Sequence, residues 1–215
     1  MDLINLRLSV IGSLSVGKST ILKQYCNEEF DIGKSSPTIG LDLYSKNITF
    51  EDRNIQLSLW ESSGDKKFIC MTKTACSNAH GLIVVYDVTN EFSFKDAEDW
   101  IETIKDQTFV LVGNKTDIEG ERKIEKSQGE QLAEKYSTKY FECSANENVG
   151  INDIFEGLIM ILIINDKLPV HSSLGKDNRT IPDSEDYEKT AEEDSKSSKR
   201  LIFCYNCCLR PKEIK

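Results

Sequence analysis

Hydrophobic positions change period several times along the chain, and each change marks an element. The apolar run at 6–11 predicts a strand, and Lys18–Cys26 carries apolar residues at helical spacing. Residues 41–50 and 55–60 alternate in period two around Glu51-Asp52-Arg53-Asn54, which predicts an antiparallel pair joined by that turn. The continuous apolar runs at 82–86 and 109–112 read as strands buried on both faces. Helical patterns lie near 93–105, 124–137 and 151–165, a short strand precedes Ser144, and the polar loop after Trp60 leads into a further helix. Strands alternating with helices predict an α/β fold, a doubly wound and mostly parallel sheet flanked by helices.

The pattern stops near Pro169. Residues 169–200 are rich in Ser, Asp, Glu and Lys and nearly free of aromatics, so they cannot bury enough surface to fold; "LIFCYNCCLRPKEIK" follows. The expected organisation is one folded domain, 1–168, and a flexible tail, 169–215. A length of 215 residues with 39% hydrophobic content supports a full-size core plus an appendage. The net charge of −9 and pI near 4.9 argue against nucleic-acid binding, which calls for a basic stripe. No charged segment followed by an apolar stretch opens the sequence, and the apolar run 157–164 is far short of a membrane span. Seven cysteines without a secretory signal read as reduced thiols, so the expected compartment is the cytoplasm or a membrane face turned towards it.

Candidate chemistry begins at Gly12-Ser13-Leu14-Ser15-Val16-Gly17-Lys18-Ser19, which fits G-x-x-x-x-G-K-[ST] between a predicted strand and a predicted helix. Backbone N–H groups from Ser15, Val16, Gly17, Lys18, Ser19 and Thr20 would curl around phosphate oxygens at the positive end of the helix. Lys18 would reach the β- and γ-phosphates, and the Ser19 hydroxyl would bind Mg²⁺. An ordinary strand–helix turn with two glycines is the competing reading, and spacing and placement together outweigh it. "VLVGNKTD" puts Asn114, Lys115 and Asp117 straight after a buried strand, at the carboxyl edge where such sheets bind ligands. The two oxygens of Asp117 can accept from the ring N–H and exocyclic NH₂ of guanine, a donor pair adenine lacks. A plain polar turn is the alternative there. "FECSAN" adds Ser144, Ala145 and Asn146 after a short strand, a weaker signal by itself.

With these motifs in order, the chain resembles the Ras-like small GTPases, and within them the Rab family, from about Leu6 to Ile164. "PTIGLDL" (37–43) resembles the Rab effector-loop signature, and "AHGLIVVYDVTNEFSF" (79–94) the pattern around the fourth strand. The resemblance implies a P-loop small G domain with a six-stranded sheet that binds GTP and GDP with Mg²⁺. It implies that Asn114, Lys115 and Asp117 hold guanine, that the backbone of Ala145 meets its exocyclic oxygen, and that Phe30 covers the base or ribose. Thr38 would join Ser19 on Mg²⁺ and contact the γ-phosphate, as would the N–H of Gly64. The implied role is a monomeric switch in membrane traffic, peripheral on the cytosolic face of an endomembrane. Effectors, exchange factors and GTPase-activating proteins would meet its two switch segments.

Three departures from the family fall on the γ-phosphate side. Where it writes W-D-T-A-G-Q-E, this chain has Trp60-Glu61-Ser62-Ser63-Gly64-Asp65-Lys66. Glu61 keeps the charge of the metal-side aspartate on an arm one methylene longer. Asp65 replaces the water-orienting glutamine as the catalytic candidate, beside Gly64 and Lys18; an ionised carboxylate only accepts hydrogen bonds. Leu14 stands where a small residue is usual and would crowd an arginine finger. All three fall on the γ-phosphate side, so the expectation is guanine-nucleotide binding with slow hydrolysis; the alternative is a hydrolysis-deficient scaffold locked on its nucleotide. A P-loop kinase using ATP is disfavoured by "NKTD". Ala75-Cys76 and Leu43 replace aromatics of the Rab effector surface, leaving Trp60. Only eleven residues separate Trp100 and Val112, so the third helix or its following loop is expected to be short. Cys207-Cys208 resembles a double-cysteine prenylation signal, yet seven residues follow it. Prenylation, palmitoylation that includes Cys204, and unmodified thiols all stay open.

Overall fold

Six strands assemble into one sheet in the order β2-β3-β1-β4-β5-β6. The structure is a computed structural model that describes residues 3–27, 38–165 and 167. Phe30, the tail from 169, and Cys204, Cys207 and Cys208 lie outside the described residues. In chain order the elements are β1 (Ile4–Ile11), α1 (Lys18–Cys26), β2 (Leu41–Phe50), β3 (Arg53–Ser62), α2 (Ile69–Asn78) and β4 (Gly81–Asp87). There follow α3 (Glu91–Ile104), β5 (Phe109–Asn114), α4 (Lys126–Lys135), β6 (Lys139–Glu142) and α5 (Ile151–Ile164). β2 runs antiparallel to β3, and every other pairing is parallel. The expected α/β sheet is the one observed.

The continuous apolar runs are explained by their two faces. Ile83 and Val85 of β4, with Val110 and Val112 of β5, pack into one core with α1 and α5 residues such as Ile21, Leu22, Phe155 and Leu158. The intervening Leu82, Val84, Tyr86 and Leu111 pack into a second core with Ala97 and Ile101 of α3 and Leu132 of α4. A strand with a helix layer on each side has no face left for polar residues.

Boundaries shift where polar residues end an element. β4 and β5 extend to Asp87 and Asn114, which pair with each other, so each apolar run delivers a polar side chain to the carboxyl edge. β3 continues past Trp60 because Glu61 pairs with both Val10 and Asp42, and Ser62 with Leu41. The hairpin turn is tighter than expected. Phe50 pairs with Arg53, leaving Glu51 and Asp52 as a two-residue turn with φ of 45° and 61°. This left-handed pair matches the strand twist, although glycine or asparagine is more usual there. α3 begins two residues earlier than its apolar pattern because Asn90 caps it, its side chain accepting from the N–H groups of Phe92 and Ser93. α3 keeps 14 residues, so the shortening falls on the connection 105–108.

Candidate functional site

Parallel strands send their carboxyl ends to one edge, and the polar candidates collect there. β1 leads into the phosphate loop, β4 ends at Asp87, β5 at Asn114, and Ser144-Ala145-Asn146 follows β6. In the phosphate loop Ser15 has φ 62° and Gly17 φ 95°. A side chain on Gly17 would strike Asn114 Nδ2 at 2.2 Å, so only glycine lets the two loops touch. Gly17 is also the N-cap of α1 and offers no side-chain cap, so first-turn N–H groups, Ser19 and Thr20 among them, are left for an anion. Lys18 arches back over the loop and donates to the carbonyls of Gly12 (3.0 Å) and Ser13 (2.7 Å). Burial lowers its pKa to about 8, against the opposing pull of Glu61.

The loop is fastened from two sides. Asn114, 1% exposed, donates through Nδ2 to Val16 O (2.8 Å) and accepts at Oδ1 from Ala145 N (3.0 Å) and Cys143 Sγ (3.3 Å). One amide thus joins the phosphate loop, β5 and the loop after β6. Ala145 N–H, the expected base contact, is directed at Asn114, and Gln24 donates to the Ala145 carbonyl. Asp117 accepts at Oδ1 from Ser144 Oγ (2.7 Å) and at Oδ2 from Asn146 Nδ2 (3.4 Å). Lys115, at φ 70°, pairs with the buried Asp87 at 2.6 Å. Burial pushes the Cys143 thiol up to about 12, so it stays protonated and donates.

On the other side of the phosphate loop three oxygen donors converge. Glu61 Oε1 accepts from Ser19 Oγ (2.5 Å) and Thr38 Oγ1 (3.0 Å), and those hydroxyls lie 3.3 Å apart. Tyr44 OH reaches Oε2 at 3.5 Å. One carboxylate and two hydroxyls make a hard, all-oxygen donor set, which suits Mg²⁺ and not the softer transition metals. The residues fit the ion that the sequence motif implies.

Beside this point lies a cleft of about 290 Å³ between the phosphate loop, residues 63–66, α2 and α3. A side chain on Gly64 would meet Ser13 C and Leu14 N at 2.3 Å, so glycine is needed for this loop to lie against the phosphate loop. Asp65 lines this cleft, and one of its carboxylate oxygens is engaged in its own turn. Oδ1 accepts from Lys67 N (3.0 Å) and caps the one-turn 3₁₀ helix Lys66–Phe68. Leu14 is 50% exposed on the phosphate loop. Ser13 Oγ donates to Asp96 Oδ2 of α3 at 2.6 Å.

The structure therefore brings together every described candidate, in two groups around the phosphate loop. Sequence reasoning missed Asp87, Tyr44, Asp96 and Gln24. Asp87 had a signal, a carboxylate ending a buried run at the ligand edge. The other three lie within periodic elements, where nothing local separates them from ordinary surface or core residues.

Comparison with known proteins supplies the family. The model of the Ras family matches residues 7–163. The chain is 35% identical over 187 residues to the Ras-related protein Rab-3 of Caenorhabditis elegans, covering 85% of this chain and 83% of that protein. It is 36% identical over 160 residues to RabC of Dictyostelium discoideum, covering 71% and 81%. Against human Rab-3D the identity is 32% over 180 residues, covering 80% and 82%.

Proposed function

The chain belongs to the Ras family, and from its Rab-like character we propose a guanine-nucleotide switch whose recognition machinery is complete and whose hydrolysis is slow. Small GTPases of this kind bind GTP and GDP with Mg²⁺ and serve membrane traffic. What is proposed for this chain is the balance between holding the nucleotide and turning it over.

The observation that carries the reading is the orientation of Asp117. Ser144 and Asn146 fix its carboxylate while each oxygen keeps lone pairs for a guanine N–H. Adenine would leave that half-buried carboxylate facing an acceptor, so discrimination on the order of 10⁴-fold is expected, as at other sites built to pair a donor. Asn114 holds the base loops against the phosphate loop, and Lys18, donating to the carbonyls of Gly12 and Ser13, would also reach phosphate oxygens. Mg²⁺, held by Ser19, Thr38 and Glu61, would supply positive charge against the phosphate oxygens.

Two arrangements support slow hydrolysis. The Asp65 carboxylate caps its own turn and has no donor to offer an attacking water. Leu14 puts an exposed aliphatic side chain on the phosphate loop, where it would crowd an activating side chain from a partner. The same two arrangements favour the second reading, a scaffold that holds GTP almost permanently. Single-turnover hydrolysis on the full chain loaded with GTP and Mg²⁺ tests both. Measurable turnover below a rate on the order of 10⁻⁴ s⁻¹ supports the slow switch, no turnover supports the scaffold, and faster turnover overturns the slow-hydrolysis reading.

Partners would meet the molecule at residues 38–43 and 60–76. Ile39 and Leu43 are exposed there, as is Ile69, so the expected surface is aliphatic and its effectors differ from those that read aromatic Rab surfaces. Among the described residues no helix is long and apolar enough to cross a membrane. Attachment to the cytosolic face of an endomembrane would call on lipidation of the tail cysteines, by prenylation of Cys207 and Cys208 or by palmitoylation that includes Cys204.

A further inference from the structure

Resting on the guanine reading above, we propose that Arg122 and Glu142 are a positioning pair for base selectivity, fixing the Asp117 carboxylate from the far end of its loop. Arg122 donates through Nη1 to Glu142 Oε1 at 2.9 Å and through Nη2 to Oε2 at 3.1 Å. Two parallel charge-assisted bonds set an angle as well as a distance. The side chains are only 21% and 19% exposed, so water screens the pair less than an ordinary surface contact. Glu142 is held in turn. Tyr140 OH donates to Oε1 at 2.8 Å, and Tyr86 OH of β4 lies 2.8 Å from the Tyr140 oxygen. Burial would raise the Glu142 pKa, but Arg122 and Tyr140 outweigh it and hold the carboxyl below its usual range. Arg122 Nη1 also donates to Ile124 O at 3.0 Å, which fastens the fork to the backbone just past the loop.

The place of this pair in the chain connects it to the base. Asp117 and Arg122 stand at the two ends of one loop, with the 3₁₀ turn Glu119–Glu121 between them. Little packs on its middle: Ile118 is exposed, and a Cβ on Gly120 would meet nothing within 4 Å. At the first end Thr116 N donates to Cys143 O (3.3 Å), and Asp117 accepts from Ser144 Oγ (2.7 Å). At the second end Arg122 grips Glu142, while Lys123 N and Ile124 N donate to Val88 O. Both ends thus fasten on residues 142–144, where β6 runs out into the base loop. A loop held at its ends and unpacked between them passes a shift at one end to the other. Releasing Arg122 would let the Asp117 carboxylate drift, and the paired bonds to guanine need both of its oxygens in place. The phosphate loop is fastened separately, through Asn114, so phosphate binding should be spared.

The test is competition binding of GDP, IDP and ADP to the full chain against a fluorescent GDP, with thermal unfolding measured on the same samples. Inosine lacks the exocyclic NH₂ of guanine. The natural chain should therefore prefer GDP over IDP on the order of tenfold or more, the worth of one hydrogen bond to a charged acceptor. In Glu142→Gln and in Arg122→Gln that preference should shrink about threefold or more, and in the double variant by no more than in either single one, because one pair carries the effect. Arg122→Lys keeps the charge but not the fork, so it is the variant that decides if the neutral ones fail to fold; it should lose part of the preference. A purely structural brace would lower the melting temperature and weaken GDP and IDP alike. An unchanged GDP-over-IDP preference in Arg122→Lys, or losses that add in the double variant, overturns the inference. A natural chain that prefers GDP, with variants that keep the preference, defeats this inference alone. A natural chain with no preference for GDP over ADP defeats the guanine reading and this inference with it.

Discussion

The loops on the base side and those on the terminal-phosphate side leave the same edge of one sheet but are built differently. On the base side, polar groups are tied into a mesh across distant segments. Asn114 bonds to Val16, Cys143 and Ala145, Asp117 to Ser144 and Asn146, and Lys115 to Asp87. On the phosphate side Ser19–Glu61 and Ser13–Asp96 also span distant segments, but the groups nearest the terminal phosphate bond locally. Lys18 bonds to its own loop, Asp65 to its own turn, and Leu14 bears a bulky aliphatic group on a loop that must admit phosphates. A pre-ordered mesh favours selective, tight binding because little has to be organised when the ligand arrives. The Asp65 side chain accepts from Lys67 N and, as a carboxylate, offers no donor to follow charge as it would develop in hydrolysis. On the proposed reading, recognition and turnover would be separable in this molecule, and each could be disturbed without the other.

The largest effect is expected from Asp117→Ala, which removes the base-selective carboxylate. The preference for guanine over adenine nucleotides should collapse by about 10⁴-fold in a competition assay, with phosphate contacts unchanged. A retained preference would break the contrast by showing that selectivity resides elsewhere. Next comes Leu14→Gly combined with Asp65→Gln. Single-turnover hydrolysis should rise on the order of 10²-fold, and by less with Asp65→Gln alone. If the double variant gains nothing, the defect moves to Glu61.

Smaller in size is a pH effect confined to the phosphate side. In the free protein, burial lowers the Lys18 pKa to about 8, and bound phosphates raise it again. Nucleotide affinity should be full below pH 8 and fall by up to about tenfold per pH unit above it, because binding then takes up a proton. Titration by calorimetry between pH 7 and 9.5 would reveal that slope, and a flat profile would separate Lys18 from the phosphates. The smallest change is Ser13→Ala, which removes the bond to Asp96. A loss of about 1 kcal/mol in denaturant stability is expected, with base preference unaltered.

Most of the architecture was legible because periodicity reports burial. The buried β4 and β5, the alternating hairpin and the helices follow from where apolar residues recur, and the strand–loop–helix context makes the phosphate motif readable. Residues that meet across long separations were not legible. Ser13 and Asp96 are 83 positions apart and Ser19 and Glu61 are 42 apart, and no local pattern links either pair. The hairpin turn was read too wide because Glu51-Asp52 lacks the glycine that usually announces a left-handed two-residue turn. Asp65 could be recognised as a substitution from sequence, but its occupation as a cap needed the geometry of the following turn.

β2 and β6 form the two rims of the sheet, and they differ in length, ten residues against four. Among the described residues β2 pairs as a strand with β3 alone, so its outer backbone groups lack a strand neighbour and could template a second copy. Charges at Asp42 and Lys46 interrupt that rim, while Leu43 is exposed between them. Gentle heating is expected to start clumping of purified protein along β2 and to spare the short β6. Shelf life would then be decided by the same hairpin that carries Glu61.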